Sequence, residues 1–582
     1  MSTQQQRPAG APRPATGSRG HSASLDIRPG VPDAETVIFA APKTDPETDD
    51  PGAADGALEQ PDTERESTQL LDAIRLEELP EQPVPHSSPR RKWISRGVVV
   101  VFLALQAALS LRMHNTAFED EALYIYVGHL EIAHWLHGSA LQGNYASYFS
   151  GAPVLYPPLA AAADSIGGLA AARAVSLIEM LATTTLLYSV SRQLFNERVA
   201  LCAVIIFSVS EPTIFLGHLA TYDASALLLL AFATWIVVRT AAFSWPAYLL
   251  AAPVVAVAVA TKYASLLFVP TIVVLAGLAA WPQRGRRAIV PPAALTAAIA
   301  GLIGGALYLS GPNYRQGVSF TTLQRFEGTS SAFSLIWDSV QWGGLAAALA
   351  IIGAAAYAAR PFTEPGEDIA PAGTRARRIL LGVVLAGSAL LATAEQVRIH
   401  TLTSLWKHIG FGLFLAAPIA GVGLARVIGD HFRRTQVGIA IWGAALVLGM
   451  SQANNLFNAW PNESIFVADM AHYLQPGAQY LVEVDEVPIY YLRHYRDAQP
   501  EQFTSTYYIG YLDPQGKLLT GNAGYVAAIK AGYFQVVAYN YQTTPSVDAV
   551  LAKTLATDPS YRLAAAIPNG NDTVTQYIWV KV

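Results

Sequence analysis

Between residues 97 and 452 apolar segments follow one another, and arginines return in every second loop between them. That alternation leaves the chain few ways to fold. About eleven of the segments approach the length of a bilayer crossing: 97–113, 168–191, 199–217, 222–238, 246–260, 263–281, 289–310, 338–359, 379–394, 408–425 and 436–452. Backbone in hydrocarbon must satisfy its own hydrogen bonds, so these segments are expected to be helices. The bases are Arg192 and Arg198, Arg239, Arg284 with Arg286 and Arg287, Arg360 with Arg375, Arg377 and Arg378, and Arg426 with Arg433 and Arg434. Their loops are assigned to the cytoplasmic side. Composition agrees, with 52% hydrophobic and 14% charged residues and a mean hydropathy of +0.30. An ordinary soluble enzyme is excluded.

The apolar density divides the chain into three zones. Residues 1–89 are rich in Pro, Gly, Ala and acids, without periodicity, and are expected to form a disordered cytoplasmic tail. Arg90, Arg91, Lys92 and Arg96 precede the first span, which reads as a retained signal anchor with its N-terminus in the cytoplasm. Residues 90–454 form the transmembrane domain; its fifth and sixth spans are short and parted only by Thr261-Lys262. In 455–582 hydrophobicity falls and strand-like runs appear at 479–484, 534–539 and 573–582, beside helix-like stretches at 463–474 and 521–531. A small α/β domain is expected there, and an odd number of spans places it outside the membrane. The fold class is thus a polytopic α-helical membrane protein with an extracytoplasmic α/β domain. The one cysteine, Cys202, rules out an intrachain disulfide and a multi-cysteine metal site. The net charge of −5 says nothing about nucleic acid, since the acids gather in the tail and the bases sit beside apolar spans; membrane lipids, and no nucleic acid, are the expected partners.

The loop 114–167 is longer than a connector requires. Leu123, Tyr126, Leu130, Ala133 and Leu136 recur in it at helical spacing, which predicts a helix in the membrane interface. Glu119, Asp120 and Glu121 open that helix, where its dipole favours negative charge. Two roles suit them: capping the helix, or supplying a general base from Asp120. After them come Leu155-Tyr-Pro-Pro-Leu159, then Ala220-Thr-Tyr-Asp-Ala224, then Ala260-Thr-Lys-Tyr-Ala264.

In that order the run resembles the multi-spanning glycosyltransferases of the GT-C class, among them the protein O-mannosyltransferases and the lipid A aminoarabinose transferases. The resemblance covers roughly residues 95–452. Its most specific element is Phe118-x-Asp120-Glu121-Ala-x-Tyr124 after the first span. It implies an about eleven-helix GT-C-like fold and an inverting transfer from a polyprenyl-phosphate sugar to an acceptor hydroxyl. The acceptor class is a cell-envelope glycan, lipid or protein, reached at the outer face of the cytoplasmic membrane. The catalytic acid maps onto Asp120, with Glu121 orienting it or touching the acceptor. Substrate contacts are implied for Asp223, Tyr222, Tyr124, Lys262, Lys407 and His408, with Arg398 a further cation for the departing phosphate. No metal ligand is assigned, and a divalent ion is an optional cofactor, since the class contains both metal-using and metal-free members.

Each of these residues has a plainer use. Asp223 suits a helix N-terminus, Lys262 suits snorkelling to the interface, and Trp406-Lys407-His408 suits a span boundary. Glu179 and Glu211 fall within apolar segments with no partner to name. His129, His134 and His137 could share a helix face without completing a zinc site. Arg315 and Arg325 belong to the outer loop 311–337, free to meet phosphate or solvent, and Asn462-Glu-Ser464 and Asn571-Asp-Thr573 match glycosylation acceptors. The rival class is a secondary transporter or flippase of a lipid-linked or anionic substrate. It would call for two halves with matching interrupted helices, and no such symmetry is evident.

Overall fold

The computed structural model describes residues 89–141, 143–243, 245–325, 327–361, 372–460, 462–568 and 574–582. The tail expected over 1–89 lies outside the described residues except for Pro89, as does the acceptor triplet Asn571-Asp-Thr573.

All eleven apolar segments are helical, in whole or in part. In chain order the helices are α1 Pro89–Ser110, α2 Glu119–His137, α3 Tyr156–Leu194, α4 Glu197–Phe207, α5 Glu211–Leu216, α6 Tyr222–Arg239 and α7 Ala251–Thr261. Next come α8 Val269–Arg284, α9 Val290–Leu309, α10 Gly311–Val318, α11 Ala332–Ala359, α12 Arg375–Ser388, α13 Leu391–Arg398, α14 Leu405–Ile428 and α15 Thr435–Ala459. Among the described residues seven helical stretches are long and apolar enough to cross a membrane, or eight if the bent pair α12–α13 is one span. The chain is a multi-pass membrane protein, but eleven full-length spans are not recovered. The expected span 199–217 breaks at Ser210 into α4 and α5, and 246–260 holds only a short apolar helix. Between α12 and α13 the axis bends by 51°. Hydropathy reports apolar length, whereas a break needs only one capping residue such as Ser210, whose hydroxyl lies 2.9 Å from that of Thr213.

At the centre stands α14, buried continuously from Lys407 to Ala425. A helix that is apolar on every side belongs inside a bundle. It packs on α11 through small residues: a Cβ on Gly353 would fall on the Ile419 carbonyl oxygen, and one on Gly423 on that of Leu349. Backbones this close gain dispersion contacts that lipid cannot supply.

The predicted interfacial helix is present as α2, although its buried residues are Glu121, Ala122, Tyr124–Gly128 and Glu131, not the whole Leu123–Leu136 stripe. It packs on α3. Trp135 and Leu136 at its far end are 54% and 71% exposed, which suits the bilayer interface. Helix α3 turns sharply at Gly167-Gly168 before entering the expected span, and φ of +64° at Gly168 is open to a residue without a Cβ.

Residues 462–568 and 574–582 carry the small domain. Its five-stranded sheet has the order β2-β1-β5-β7-β6, with β1 Tyr480–Val482, β2 Phe503–Ser505, β5 Val536–Tyr539, β6 Tyr561–Pro568 and β7 Thr575–Lys581. Strands β2, β1 and β5 are parallel, and β5, β7 and β6 are antiparallel. A hairpin of β3 Gly510–Leu512 and β4 Leu518–Thr520 stands apart. The helices here are α16 Ser464–Met470, α17 Glu486–Leu492, α18 Gly521–Lys530 and α19 Pro545–Thr557. The three sequence-predicted strands are β1, β5 and β7; the short edge strands and β6 were not foreseen. Helix α17, at the carboxyl end of β1, packs on α2. Asp164 of α3 ties the two regions: it accepts from Tyr490 at 2.5 Å and Arg493 at 2.7 Å, and pairs with His129 of α2 at 2.7 Å.

Candidate active site

The acidic turn of α2 separates its three carboxylates by function. Glu121 is wholly buried. Its oxygens take Arg173 Nε at 2.8 Å and Nη2 at 2.6 Å, the Phe118 amide at 2.8 Å and the Ala220 amide at 2.7 Å. Four donors saturate a carboxylate. Glu121 therefore has no oxygen to offer an acceptor, which sets aside the acceptor contact expected for it and leaves the other expected role, positioning the turn that carries Asp120. It fastens α2, α3 and the approach to α6 to one another. The remaining donors of Arg173 reach the carbonyls of Asn115 and Thr116, at 2.9 and 3.0 Å. Arg173 had no predicted role; the available signal was a lone arginine in an Ala/Gly-rich apolar stretch.

Asp120, one residue earlier on the helix, points the other way. Its side chain remains 32% exposed while the partner Lys407 is 5% exposed, and their atoms are 2.5 Å apart. Tyr124, one turn on, places its hydroxyl 3.3 Å from the second carboxylate oxygen. Asp120 is thus held by a buried cation with part of its carboxylate left open.

Asp223 is completely buried in the first turn of α6, where Thr221 donates to it at 3.0 Å and Lys262 forms an ion pair with it. Lys262 occupies the extended break after α7, so its side chain leaves the helix where the backbone does. Two backbone bonds pin that break to the loop between α2 and α3: Ala152 N to Ala260 O at 2.8 Å and Tyr263 N to Ser150 O at 2.8 Å. Gly151 makes the approach possible, since a Cβ there would meet the Thr261 carbonyl oxygen. Across the two pairs, Tyr124 and Tyr222 join hydroxyls at 2.6 Å with rings 4.5 Å apart. The Lys262 ammonium lies 4.9 Å from the Tyr222 ring. Both tyrosines are almost fully buried, so they brace the acids and present no free stacking face.

Lys407 and His408 open α14 beside this cluster, and His408 Nδ1 lies 3.5 Å from Gln396 Nε2. Asp120, Asp223, Tyr124, Tyr222, Lys262, Lys407 and His408 therefore gather from α2, α6, α14 and the α7 break, although up to 287 positions separate their partners. Arg398 does not join them: it is exposed and bound to Glu395 at 2.6 Å. Glu179 accepts from Ser225 at 2.7 Å, whereas Glu211 is buried with neither oxygen partnered among the described residues.

The rim of the site comes from the small domain. Tyr507 donates to Glu119 at 3.4 Å. Burial, then Asp120 and Asp485, push the Glu119 carboxyl up to about 7. Burial, then Asp485 and Glu119, raise Glu486 well above the ordinary range. Among the described residues no three His, Cys, Asp or Glu side chains are grouped to hold a metal ion.

Residues 153–308 match the family profile described as dolichyl-phosphate-mannose-protein mannosyltransferase, a segment that includes Asp223 and Lys262 but not Asp120. No curated protein sequence matches the chain. Among solved structures, ArnT from Cupriavidus metallidurans bound to undecaprenyl phosphate is similar with a TM-score of 0.54 and 15% identity, over 83% of this chain and 98% of that one. The apo form of the same protein gives 0.53 and 16% over the same shares. The archaeal oligosaccharyltransferase AglB from Archaeoglobus fulgidus, in complex with an inhibitory peptide and a dolichol-phosphate, gives 0.51 and 11%, over 84% and 74%. The profile over residues 153–308 and the fold shared with the ArnT and AglB structures make this chain similar to membrane glycosyltransferases of the GT-C class.

Proposed function

We propose that the chain moves a sugar from a polyprenyl-phosphate donor to an acceptor hydroxyl at the outer face of the cytoplasmic membrane. Its N-terminus is then cytoplasmic and its small domain extracytoplasmic. A glycan, lipid or protein of the cell envelope is the acceptor. The observation that carries this proposal is the half-exposed Asp120 carboxylate fixed by buried Lys407 beside the Asp223–Lys262 pair. Undecaprenyl phosphate and dolichol-phosphate in the similar structures support a lipid-phosphate donor here.

The chemistry follows from the charges. Asp120 takes the acceptor proton, the freed oxygen bonds to the anomeric carbon, and the bond from that carbon to the phosphate oxygen breaks with its electron pair leaving on the lipid phosphate. Attack opposite the leaving group inverts the anomeric centre. Charge grows on the phosphate as the bond breaks, and cationic side chains at the site stabilise it more in the transition state than in the ground state. Asp223 serves by holding Lys262. The cations needed for this step are side chains; a divalent ion is an optional addition whose part is tested by chelation.

The test is to incubate purified protein in lipid with a panel of polyprenyl-phosphate sugars and acceptors and to follow release of free polyprenyl phosphate. One donor is expected to release lipid phosphate in step with acceptor glycosylation. Movement of the intact lipid-linked sugar across the bilayer without cleavage would mark a flippase instead.

A further inference from the structure

Glu211 is a buried acid that the candidate active site leaves unused. It opens α5, is 1% exposed, and neither of its carboxyl oxygens meets a donor among the described residues. An acid buried in this way is costly unless a donor or a cation answers it. Glu211 lines a cavity of about 30 Å³ between α5, α11 and α15. Two carboxamides share the lining, Gln341 of α11 and Gln452 of α15, and the Gln452 amide nitrogen lies 3.4 Å from the Gln341 oxygen. Ser210 is already engaged with the Phe207 carbonyl and the Thr213 hydroxyl, each at 2.9 Å.

Glycine shapes this cavity. A Cβ on Gly449 would fall on the Val209 carbonyl oxygen, so glycine lets α15 come close to the start of α5, while Gly343 and Gly344 line the α11 wall. Leu448, also in the lining, is 46% exposed, so the cavity reaches the lipid-facing surface of the bundle. Gln341 lies one turn after Asp338 near the start of α11, and Gln452 one turn before Asn455 near the end of α15. Gly343 packs on Ile409 and Leu413 of α14, which puts the cavity toward the same end of the bundle as Lys407. A fitting group must be small, donate hydrogen bonds and carry positive charge. A water-sized group needs roughly 10–15 Å³ of such space. A primary ammonium is of that size, and its three N–H bonds match the two Glu211 oxygens and a carboxamide oxygen. A trimethylammonium has no N–H, and its methyl groups overfill the space.

We propose that Glu211, Gln341 and Gln452 form a lipid site that takes the primary ammonium of an ethanolamine phospholipid headgroup. The site is separate from the Asp120–Lys407 and Asp223–Lys262 pairs and does not depend on the transfer reaction. The experiment titrates the full-length protein with an ethanolamine phospholipid and with the choline phospholipid of the same acyl chains, and counts bound lipid by native mass spectrometry. Wild type is expected to hold the ethanolamine lipid about 10- to 100-fold more tightly, the range for gaining hydrogen bonds between charged groups. Glu211→Gln keeps the shape of the side chain and removes the acid, so folding should be retained. In that variant the ethanolamine lipid should fall to the affinity of the choline lipid, with the choline lipid unchanged. Gln341→Leu should weaken the ethanolamine lipid in part. Equal affinity of wild type for the two lipids would mean that the cavity takes only water and would overturn the proposal, as would a preference that survives in E211Q. Free ethanolamine at the same concentration should not displace the lipid; displacement would overturn the lipid assignment in favour of a soluble amine.

Discussion

Replacing Asp120 by asparagine removes one negative charge and almost no volume, so it separates catalysis from architecture. An asparagine oxygen can still accept from Lys407, now 2.5 Å from one carboxylate oxygen, while the amide nitrogen replaces the other oxygen and faces the Tyr124 hydroxyl at 3.3 Å, which can accept from it. Asp120 is 32% exposed but Lys407 only 5%, so the ammonium loses its ion partner in a buried setting, and a modest loss of stability short of unfolding is expected. A general base is worth about 10²- to 10⁴-fold in rate, or roughly 3 to 5 kcal/mol at 1.36 kcal/mol per decade. In D120N, kcat should fall by that factor. The KM for the donor should stay level or drop, because Lys407 is no longer neutralised when phosphate arrives. The assay is release of free polyprenyl phosphate at saturating acceptor, with thermal unfolding in the same detergent as control. A kcat within about threefold of wild type, far short of the general-base range, would exclude Asp120 as the base. A collapse of thermal stability would mean that the carboxylate belongs to the scaffold, as Glu121 does.

Glu121→Gln should behave in the opposite way. It leaves buried Arg173 without its ion partner, a loss of about 3–5 kcal/mol, so low yield and early unfolding are expected; full stability with lost turnover would return Glu121 to the chemistry. Glu119 gains its charge as pH rises through about 7, and as a carboxylate it can accept a hydrogen bond from an acceptor hydroxyl entering beside Asp120. The rate profile should therefore rise across that window in wild type and lose the inflection in Glu119→Gln, and an identical inflection in the variant would clear Glu119 of it. Chelation with EDTA should leave turnover unchanged, because the charges proposed to meet the phosphate are cationic side chains; a loss that Mg²⁺ or Mn²⁺ restores would contradict this.

The signals legible in the chain were those that act locally. Apolar runs and arginine loops announced a membrane protein, and the alternation in 479–484 and 534–539 announced β1 and β5. Span number was less legible, because α4 and α5, or α12 and α13, are each continuous in hydropathy yet divided in space. Within the acidic triplet the three residues read alike. Only their rotation about α2 separates them: a helix advances about 100° per residue, so neighbours face different surroundings. Glu121 meets Arg173 and the Ala220 amide, Asp120 meets Lys407, and Glu119 meets Tyr507 of the small domain.

What the residues determined unaided is therefore the medium and the chemical supply: helices forced by hydrocarbon, acids and bases gathered at the ends of apolar segments, a small α/β appendage. The tertiary structure decided which acid is tied down and which is left open, and that Lys262 and Lys407 arrive already paired. The reason is physical. Propensity and hydropathy depend on neighbours along the chain, whereas the charge balance of a pocket depends on groups brought together from as far apart as Asp120 and Lys407, and that balance exists only once the helices have packed.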